Sequence, residues 1–451
     1  MKVNVAGAGA GKTTQMADII LEHDIPEGKI IFCIAFTNAA ANNIREKVAK
    51  KLGEIPDYIK ISTIHSFLYQ EIVEPYYYFL YGKHYKRISV IDLPTNNGYK
   101  AAKLSELENA DELHITKIPD KAKWVVHQKS SDKKAKKETR KRILSHFSSY
   151  CAALYVDEAQ DISDDISLIL MELENAGVEI VLFGDPKQDV KGYGCFRQII
   201  DNTDEVNYIS ECHRCPQIHL NISNTLASDD EKQIADPGND VGSLDIVFES
   251  DIENINEYFQ SADFGLCYIS QKHDIFHTHS VQQEDDRFES LRHEVFRAMY
   301  EKWNGLEPEI EIERGAFFIT EKMLESFDQT GDAGSLISQY VKCGVFDQLS
   351  KQRYAQMASA FQKKETTADC AIVVRSIEIV KGLEANRCLF ILTSDLAPYL
   401  FRSKTDDNKM SHLLYVALTR SRNNLTIMIT RGVEASFSKD YITNYFTTIL
   451  R

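Results

Sequence analysis

Short apolar runs that end in glycine or acidic residues, each followed by a stretch of helical period, recur along this chain. That alternation predicts parallel strands covered by helices, an α/β architecture. Val3 and Val5 sit in the first run, and a helix is expected from Lys12 to His23. Ala40, Ile44, Val48 and Leu52 follow at i, i+4 spacing and predict one core-facing stripe. Further strands are expected at Ala152–Val156, Val178–Phe183, Ala371–Val374, Cys388–Leu392 and Leu425–Thr430. A second core is expected to begin near Val206 and resume at about Cys370. Asp328 to Ser335, with two glycines, reads as a loop, and Ser436–Arg451 as a terminal helix with Tyr441, Tyr445 and Ile449 on one face.

Length and charge narrow the class. At 451 residues the chain is too long for one core and is expected to hold two to four domains. It contains no run of 18 uncharged apolar residues and no basic segment leading an apolar block, so neither a membrane span nor a signal peptide is expected, and the cytoplasm is the default. The nine cysteines are scattered and odd in number, which suits a reducing compartment. One pair, Cys212-His213-Arg214-Cys215, leaves zinc or redox use as a minor alternative, because no second pair stands at zinc spacing. A net charge of −15 argues against an all-round basic surface, although a local groove can still hold phosphates.

The chemistry begins at Val5-Ala6-Gly7-Ala8-Gly9-Ala10-Gly11-Lys12-Thr13-Thr14. Alternating glycines at a strand-to-helix junction let backbone N–H groups converge on a polyphosphate, as the P-loop pattern requires. Lys12 is placed to reach the β and γ phosphates and the Thr13 hydroxyl to join Mg²⁺, making ATP and Mg²⁺ the expected ligands. Ala6 stands where the strict pattern has its first glycine.

Asp157-Glu158-Ala159-Gln160-Asp161 follows a buried strand pattern. Adjacent carboxylates there can divide labour, Asp157 on the metal and Glu158 polarising water. A bland alternative makes them the start of the next helix, a role Ser163 could fill as a cap. Another strand ends in Gly184-Asp185-Pro186-Lys187-Gln188, whose neutral amide can report the presence of a γ phosphate.

In that order these segments resemble the superfamily 1 helicases of the UvrD, Rep and PcrA type. Ala35-Phe36-Thr37-Asn38-Ala39-Ala40-Ala41 looks like motif Ia and Thr63-Ile64-His65-Ser66-Phe67 like motif Ib. Gly184–Gln188 is similar to motif III, Ile209–Arg214 to motif IV, Lys381-Gly382-Leu383-Glu384 to motif V, and Leu414–Arg422 to motif VI. The resemblance implies two RecA-like parallel-sheet domains with inserted subdomains: 1-70 and 146-205 as domain 1A, 71-145 as insertion 1B, 206-279 and 366-451 as domain 2A, and 280-365 as insertion 2B. It implies that Arg214 and Arg420 bring two permanent charges to the γ phosphate, with Gln188 as a switch and Glu384 among the nucleotide contacts. Phe36, Thr37, Asn38, Thr63, His65, Ser66 and Tyr193 are the implied nucleic-acid contacts, Tyr193 standing where the family stacks a base.

The departures are specific. Only Met1–Val5 precedes the loop, where the family reads adenine with a glutamine segment; His213 replaces a base-stacking aromatic and Glu378 a motif V histidine. Within the first insertion, Tyr76–Tyr81 lies beside Lys83, His84, Lys86 and Arg87, a cluster equally readable as core or as a stacking platform. A basic run from Lys129 to Arg142 reads as a phosphate contact or a solvated face.

The leading expectation is an ATP-driven translocase on single-stranded DNA, 3′ to 5′ by family habit, that also acts on 3′-tailed duplex. The alternative is a DNA-stimulated ATPase serving as sensor or regulatory subunit of a separate nuclease, as the UvrD-like partner of an OLD-family nuclease does in Gabija-type antiviral systems. No nuclease constellation of its own is apparent in the chain.

Overall fold

The computed structural model describes residues 1–23, 25–94, 96–271, 273, 275–279, 287–303, 306–361 and 372–449. Its strands are β1 (Lys2–Ala6), β2 (Ile30–Ala35), β3 (Ile59–Thr63), β4 (Arg87–Ser89), β5 (Glu112–His114), β6 (Cys151–Val156), β7 (Glu179–Gly184), β8 (Val206–Ile209), β9 (Glu211–Cys212) and β10 (Ile234–Ala235), followed by β11 (Ser243–Phe248), β12 (Leu266–Ile269), β13 (Phe276–His279), β14 (Ile372–Ser376), β15 (Ala385–Leu392) and β16 (Ser421–Ile429).

Two six-stranded sheets dominate, ordered β3-β2-β6-β7-β1-β8 and β11-β16-β15-β12-β14-β13. Every pairing within them is parallel. Helices cover both faces, so the inner strands read as near-continuous apolar runs. These are two RecA-like domains. Met16, Ala17 and Ile20 of the helix Lys12–Glu22 pack with Ala41, Ile44 and Val48 of the helix Asn38–Leu52 on the first sheet. Leu52, expected on that stripe, is 40% exposed, because the helix ends there against Gly53 and Ala41 supplies the inner contact.

The described residues form two compact units, one from Met1–His84, Lys117–Val281 and Cys370–Arg451, the other from Tyr85–Thr116 and Gln282–Asp369. Both large sheets belong to the first unit. This division differs from the expected 71-145 and 280-365 insertions. Tyr76, Tyr77 and Leu80 of the helix Glu74–Tyr81 are buried, and that helix packs on the helices Ile118–Val126 and Lys134–Tyr150, which keeps 71–84 with the first sheet. In the same cluster Tyr78 and Phe79 are exposed, so it is half core and half surface. The junctions expected at 280 and at 365/366, the residues Cys370 and Ala371, and Arg451 lie outside the described residues.

Two other expectations are corrected. The strand at Val206 pairs with β1, Val3 opposite Val206, and so closes the first sheet; the second sheet opens only at β11. Asp328–Ser335 is no loop: the helix Glu309–Thr330 stops at Gly331 in a left-handed conformation, and Asp332 accepts a hydrogen bond from Ser335 N to start the next helix. In the terminal helix Lys439–Ile449 the buried pair is Ile442 and Phe446, with Tyr441 46% exposed.

The second unit combines the parallel pair β4–β5 with the helices Arg287–Trp303, Glu309–Thr330, Ala333–Lys342 and Lys351–Ala360 around Leu291, Val295, Ile312, Ala316 and Met323. Among the described residues no helix is long and apolar enough to cross a membrane.

Candidate nucleotide site and aromatic surface

The loop Ala6–Gly11 leaves the carboxyl end of β1, and carboxyl ends of parallel strands are where open α/β sheets hold ligands. Gly9 and Gly11 have φ of 72° and 73°, a backbone that only glycine adopts without strain. A Cβ on Gly9 would lie 2.4 Å from Arg214 Cβ, and one on Gly7 would lie 2.1 Å from the Gln233 side chain. The helix Lys12–Glu22 starts with no side-chain cap, leaving its first N–H groups, including those of Thr13 and Thr14 beside the loop, without one. Lys12 Nζ donates to Ala6 O at 3.1 Å and Gly7 O at 3.3 Å.

β6 and β7 set the acids beside this loop. Thr13 Oγ1 donates to Asp157 Oδ2 at 3.0 Å, joining the two oxygens expected to share a cation. Burial and the neighbouring Glu158 push Asp157 above the usual carboxylate range, against the pull of Lys12. Glu158 has φ of 57°, which turns its side chain away from the strand line. Burial pushes Glu158 up too, but Lys12, Lys381 and the Gln160 amide together hold it below its ordinary value. Asp157 therefore keeps its proton to a higher pH than Glu158 does. Asp185 N donates to Gln160 Oε1 at 3.0 Å, and Gln188 Nε2 donates to Asp185 Oδ2 at 2.8 Å, so Gln188 reaches the site through Asp185. The helix Asp164–Asn175 does start at Ser163, yet Ser163 makes no capping bond and the acids face the loop instead.

Arg214 follows β9, whose segment lies on the loop: His213 N donates to Gly9 O at 2.9 Å. Its guanidinium pairs with Glu384, which also pairs with Arg422. Glu384 stays below the usual carboxylate range despite burial, because of these arginines. Arg420 is 1% exposed and donates to Val416 O, Leu383 O and Thr419 Oγ1 at 2.9, 3.3 and 3.0 Å. Among the described residues it forms no ion pair. A surface ion pair is therefore not its role; burying a guanidinium on neutral acceptors is costly and suits a waiting anion. Arg420 stands behind Arg214, which reaches Thr419 O at 3.5 Å.

Two residues at the loop have no role in the sequence reading. Gln233 Nε2 donates to Ala8 O at 3.1 Å, Ala8 N donates to Tyr415 OH at 3.2 Å, and Tyr415 OH donates to Gln233 Oε1 at 2.9 Å. Asn224 fixes Gln233 by exchanging two backbone bonds at 2.8 Å. Tyr415, an aromatic within the segment carrying Arg420, was a usable signal; Gln233 lies in a stretch with none. Among the described residues, the group offering three ligand atoms within 4.8 Å of one another is Glu211, His213 and Asp236, which does not include the cysteine pair.

A second cluster lies beside the acids. Lys191 Nζ is 5.6 Å from the centre of the Phe36 ring and 5.8 Å from that of Tyr193, and it also lowers the pKa of His65 after burial. Tyr193 is 45% exposed, flanked by Gly192 and Gly194 with φ of 72° and 68°. Thr37 caps the helix Asn38–Leu52, and Thr63 caps the turn Ile64–Phe67 while meeting Ser66 Oγ at 2.9 Å. Thr37, Asn38, Thr63 and Ser66 thus orient the cluster's backbone. Lys381 Nζ meets Asp161 at 2.7 Å, linking the segment before β15 to the acidic motif. Of the basic run, Arg140 is buried on Asp132, and Lys129 and Lys136 stack on Trp124 and Tyr81. Part of that run is therefore structural.

Residues 1–193 match the family described as an AAA domain. A solved structure of the PRRSV helicase is similar at a TM-score of 0.34 and 10% identity, covering 95% of this chain, which spans 52% of that one. A likeness that remote says nothing of activity. No curated protein matches the chain. The glycine cradle and the Thr13–Asp157 pair lie within the residues that match an AAA domain and together have the form of a P-loop nucleotide site.

Proposed function

We propose that the chain is an ATP-driven motor of the UvrD-like superfamily 1 type, which couples hydrolysis to 3′ to 5′ movement on single-stranded DNA. The observation that carries this reading is the packing of Arg214 on Gly9 of the phosphate loop, which brings a cation from beyond the first sheet onto the nucleotide cradle.

Mg²⁺ and ATP fit the donor set: Thr13 and Asp157 would hold the metal, which supplies charge neutralisation at the phosphate oxygens. Lys12, whose side-chain hydrogen bonds among the described residues go to two carbonyls, can transfer its charge to a polyphosphate. Glu158, held ionised by Lys12 and Lys381, accepts a proton from an attacking water. Arg214 and Arg420 stabilise negative charge that grows during cleavage. Because Arg214 and Tyr415 touch the loop from segments leading into the second sheet, loss of the γ phosphate loosens that contact. Phe36 and Tyr193, stacked with Lys191, offer base-stacking faces beside the moving junction.

The test is steady-state ATP hydrolysis with and without single-stranded DNA, with Glu158→Gln as the blank, followed by unwinding of 3′-tailed duplex without a second protein. Stimulation that disappears in Glu158→Gln is expected. Hydrolysis indifferent to single-stranded DNA would sink the motor reading.

A further inference from the structure

Among the described residues, the cysteine pair flanking Arg214 belongs to no three-ligand cluster. Both thiols are fully buried, in a small cluster with Leu220. The turn between them folds back so that Cys215 N donates to Cys212 Sγ at 3.3 Å, and the two sulfurs are hydrogen-bonded neighbours. Each sulfur also touches the nucleotide machinery. Cys212 Sγ lies 3.1 Å from Ala8 O of the phosphate loop, and Cys215 Sγ lies 3.6 Å from Thr419 O, the carbonyl that Arg214 also reaches.

We propose that Cys212 and Cys215 are a redox modification site, converted by a low-molecular-weight disulfide to an intrachain disulfide that draws Arg214 off the phosphate loop. The hydrogen bonds received by Cys212 favour its thiolate, while burial and that neighbouring thiolate hold Cys215 protonated, so the two have distinct parts in exchange. Cys212 thiolate attacks one sulfur of oxidised glutathione, forming a mixed disulfide and releasing one glutathione thiolate. That thiolate takes the Cys215 proton. Cys215 sulfur then attacks Cys212 Sγ, the Cys212–Cys215 bond forms, and the second glutathione leaves and is protonated by solvent. The thiolate–thiol pair gives up two electrons and one proton, solvent supplies the second proton, and glutathione disulfide becomes two thiols.

Bond formation requires the sulfurs to close from hydrogen-bond contact to about 2.05 Å. Arg214 lies inside the four-residue ring that tightens, with its Cβ against Gly9, so that seat cannot stay as it is. The 3.1 Å contact of Cys212 Sγ with Ala8 O cannot stay as it is either. Attack on buried thiols requires the β9–β10 pair to lift from the loop, so oxidation is slower here than at the exposed Cys343. The effect on hydrolysis rests on the function proposed above; the thiol chemistry does not.

The test treats the full chain with excess oxidised glutathione, alkylates the remaining thiols with N-ethylmaleimide, and reads the peptide carrying both cysteines by mass, alongside ATP hydrolysis before and after dithiothreitol. That peptide is expected to carry neither alkyl group nor glutathione, while Cys343 carries glutathione. Hydrolysis is expected to fall at least about tenfold, as befits a displaced arginine, and to recover on reduction. In Cys215→Ser the same peptide should stop at the Cys212 mixed disulfide or stay alkylated. Alkylation of both wild-type cysteines alongside a glutathionylated Cys343 would overturn the site. A disulfide that leaves hydrolysis unchanged would overturn its action on Arg214. A chain without hydrolysis under any condition would overturn the ATPase reading instead, and the peptide mass would still decide the thiol assignment.

Discussion

The two parallel sheets have the same number of strands and the same pairing, yet their ends are furnished differently. At the carboxyl ends of the first sheet a glycine loop stands with two buried acids, Asp157 and Asp185, and the half-buried Glu158, close enough to shift one another's protonation. At the carboxyl ends of the second, the polar groups satisfy each other: Ser270 Oγ meets Thr393 Oγ1 at 2.7 Å and both donate to Asp395 Oδ1, Thr430 Oγ1 donates to Leu392 O at 2.8 Å, and Arg431 N donates to Glu249 Oε2 at 2.9 Å. The second sheet presents chemistry at its amino ends instead. Glu384 precedes β15 and Arg420 precedes β16, both linked to Arg214. A duplicated architecture thus keeps the glycine loop and its acids on one copy and brings arginines from the opposite end of the other. Only the first set resembles a self-sufficient phosphate site; the second has meaning through contact with it.

The comparison breaks most visibly at Lys12. Lys12→Ala should lower ATP hydrolysis by about 10²–10³, as loss of one preorganised charge does. Hydrolysis surviving in that variant would move the chemistry away from the first sheet. Arg420→Met asks whether the amino ends of the second sheet matter. A fall of about 10³ in hydrolysis is expected, with folding retained because the guanidinium neutralises no carboxylate among the described residues. A large loss of stability with hydrolysis intact would make Arg420 a packing residue.

Tyr193→Ala sharpens the picture at the edge of the first sheet. Single-stranded DNA should bind more weakly by about 1–3 kcal/mol, the worth of one stacked base, while hydrolysis without DNA stays at its wild-type rate. Equal DNA affinity by fluorescence anisotropy would remove the aromatic cluster from the nucleic-acid path. The smallest effect concerns His412, which donates from Nδ1 to Asp189 O at 2.9 Å and from Nε2 to Asp407 Oδ1 at 2.6 Å and so joins the two sheets' loops. Burial lowers the pKa of His412, but Asp407 and the Asp189 carbonyl more than offset this and raise it above its ordinary value. The stabilisation is therefore complete below about pH 6.5 and lost as pH rises through the higher folded value. In thermal melts the gap between wild type and His412→Gln should narrow with rising pH; a gap independent of pH would show that packing alone is at stake.

The sequence by itself determined the phosphate loop, the acid pair and the alternating strands and helices, because each is written in contiguous residues whose spacing carries its meaning. Gly9 and Gly11 had to be glycine for a local backbone reason, and Asp157 had to follow a strand for it to face Thr13. Only the tertiary structure decided that Val206–Ile209 closes the first sheet, that Gln233 seats on Ala8, and that Tyr85–Thr116 joins Gln282–Asp369 in one unit. The basic run makes the same point within one helix: Arg140 and its neighbours are alike in composition, yet Arg140 is buried on Asp132. Sheet order, burial of a charge and docking of a distant amide depend on which surfaces meet after collapse, and local propensity carries no term for a partner 200 residues away.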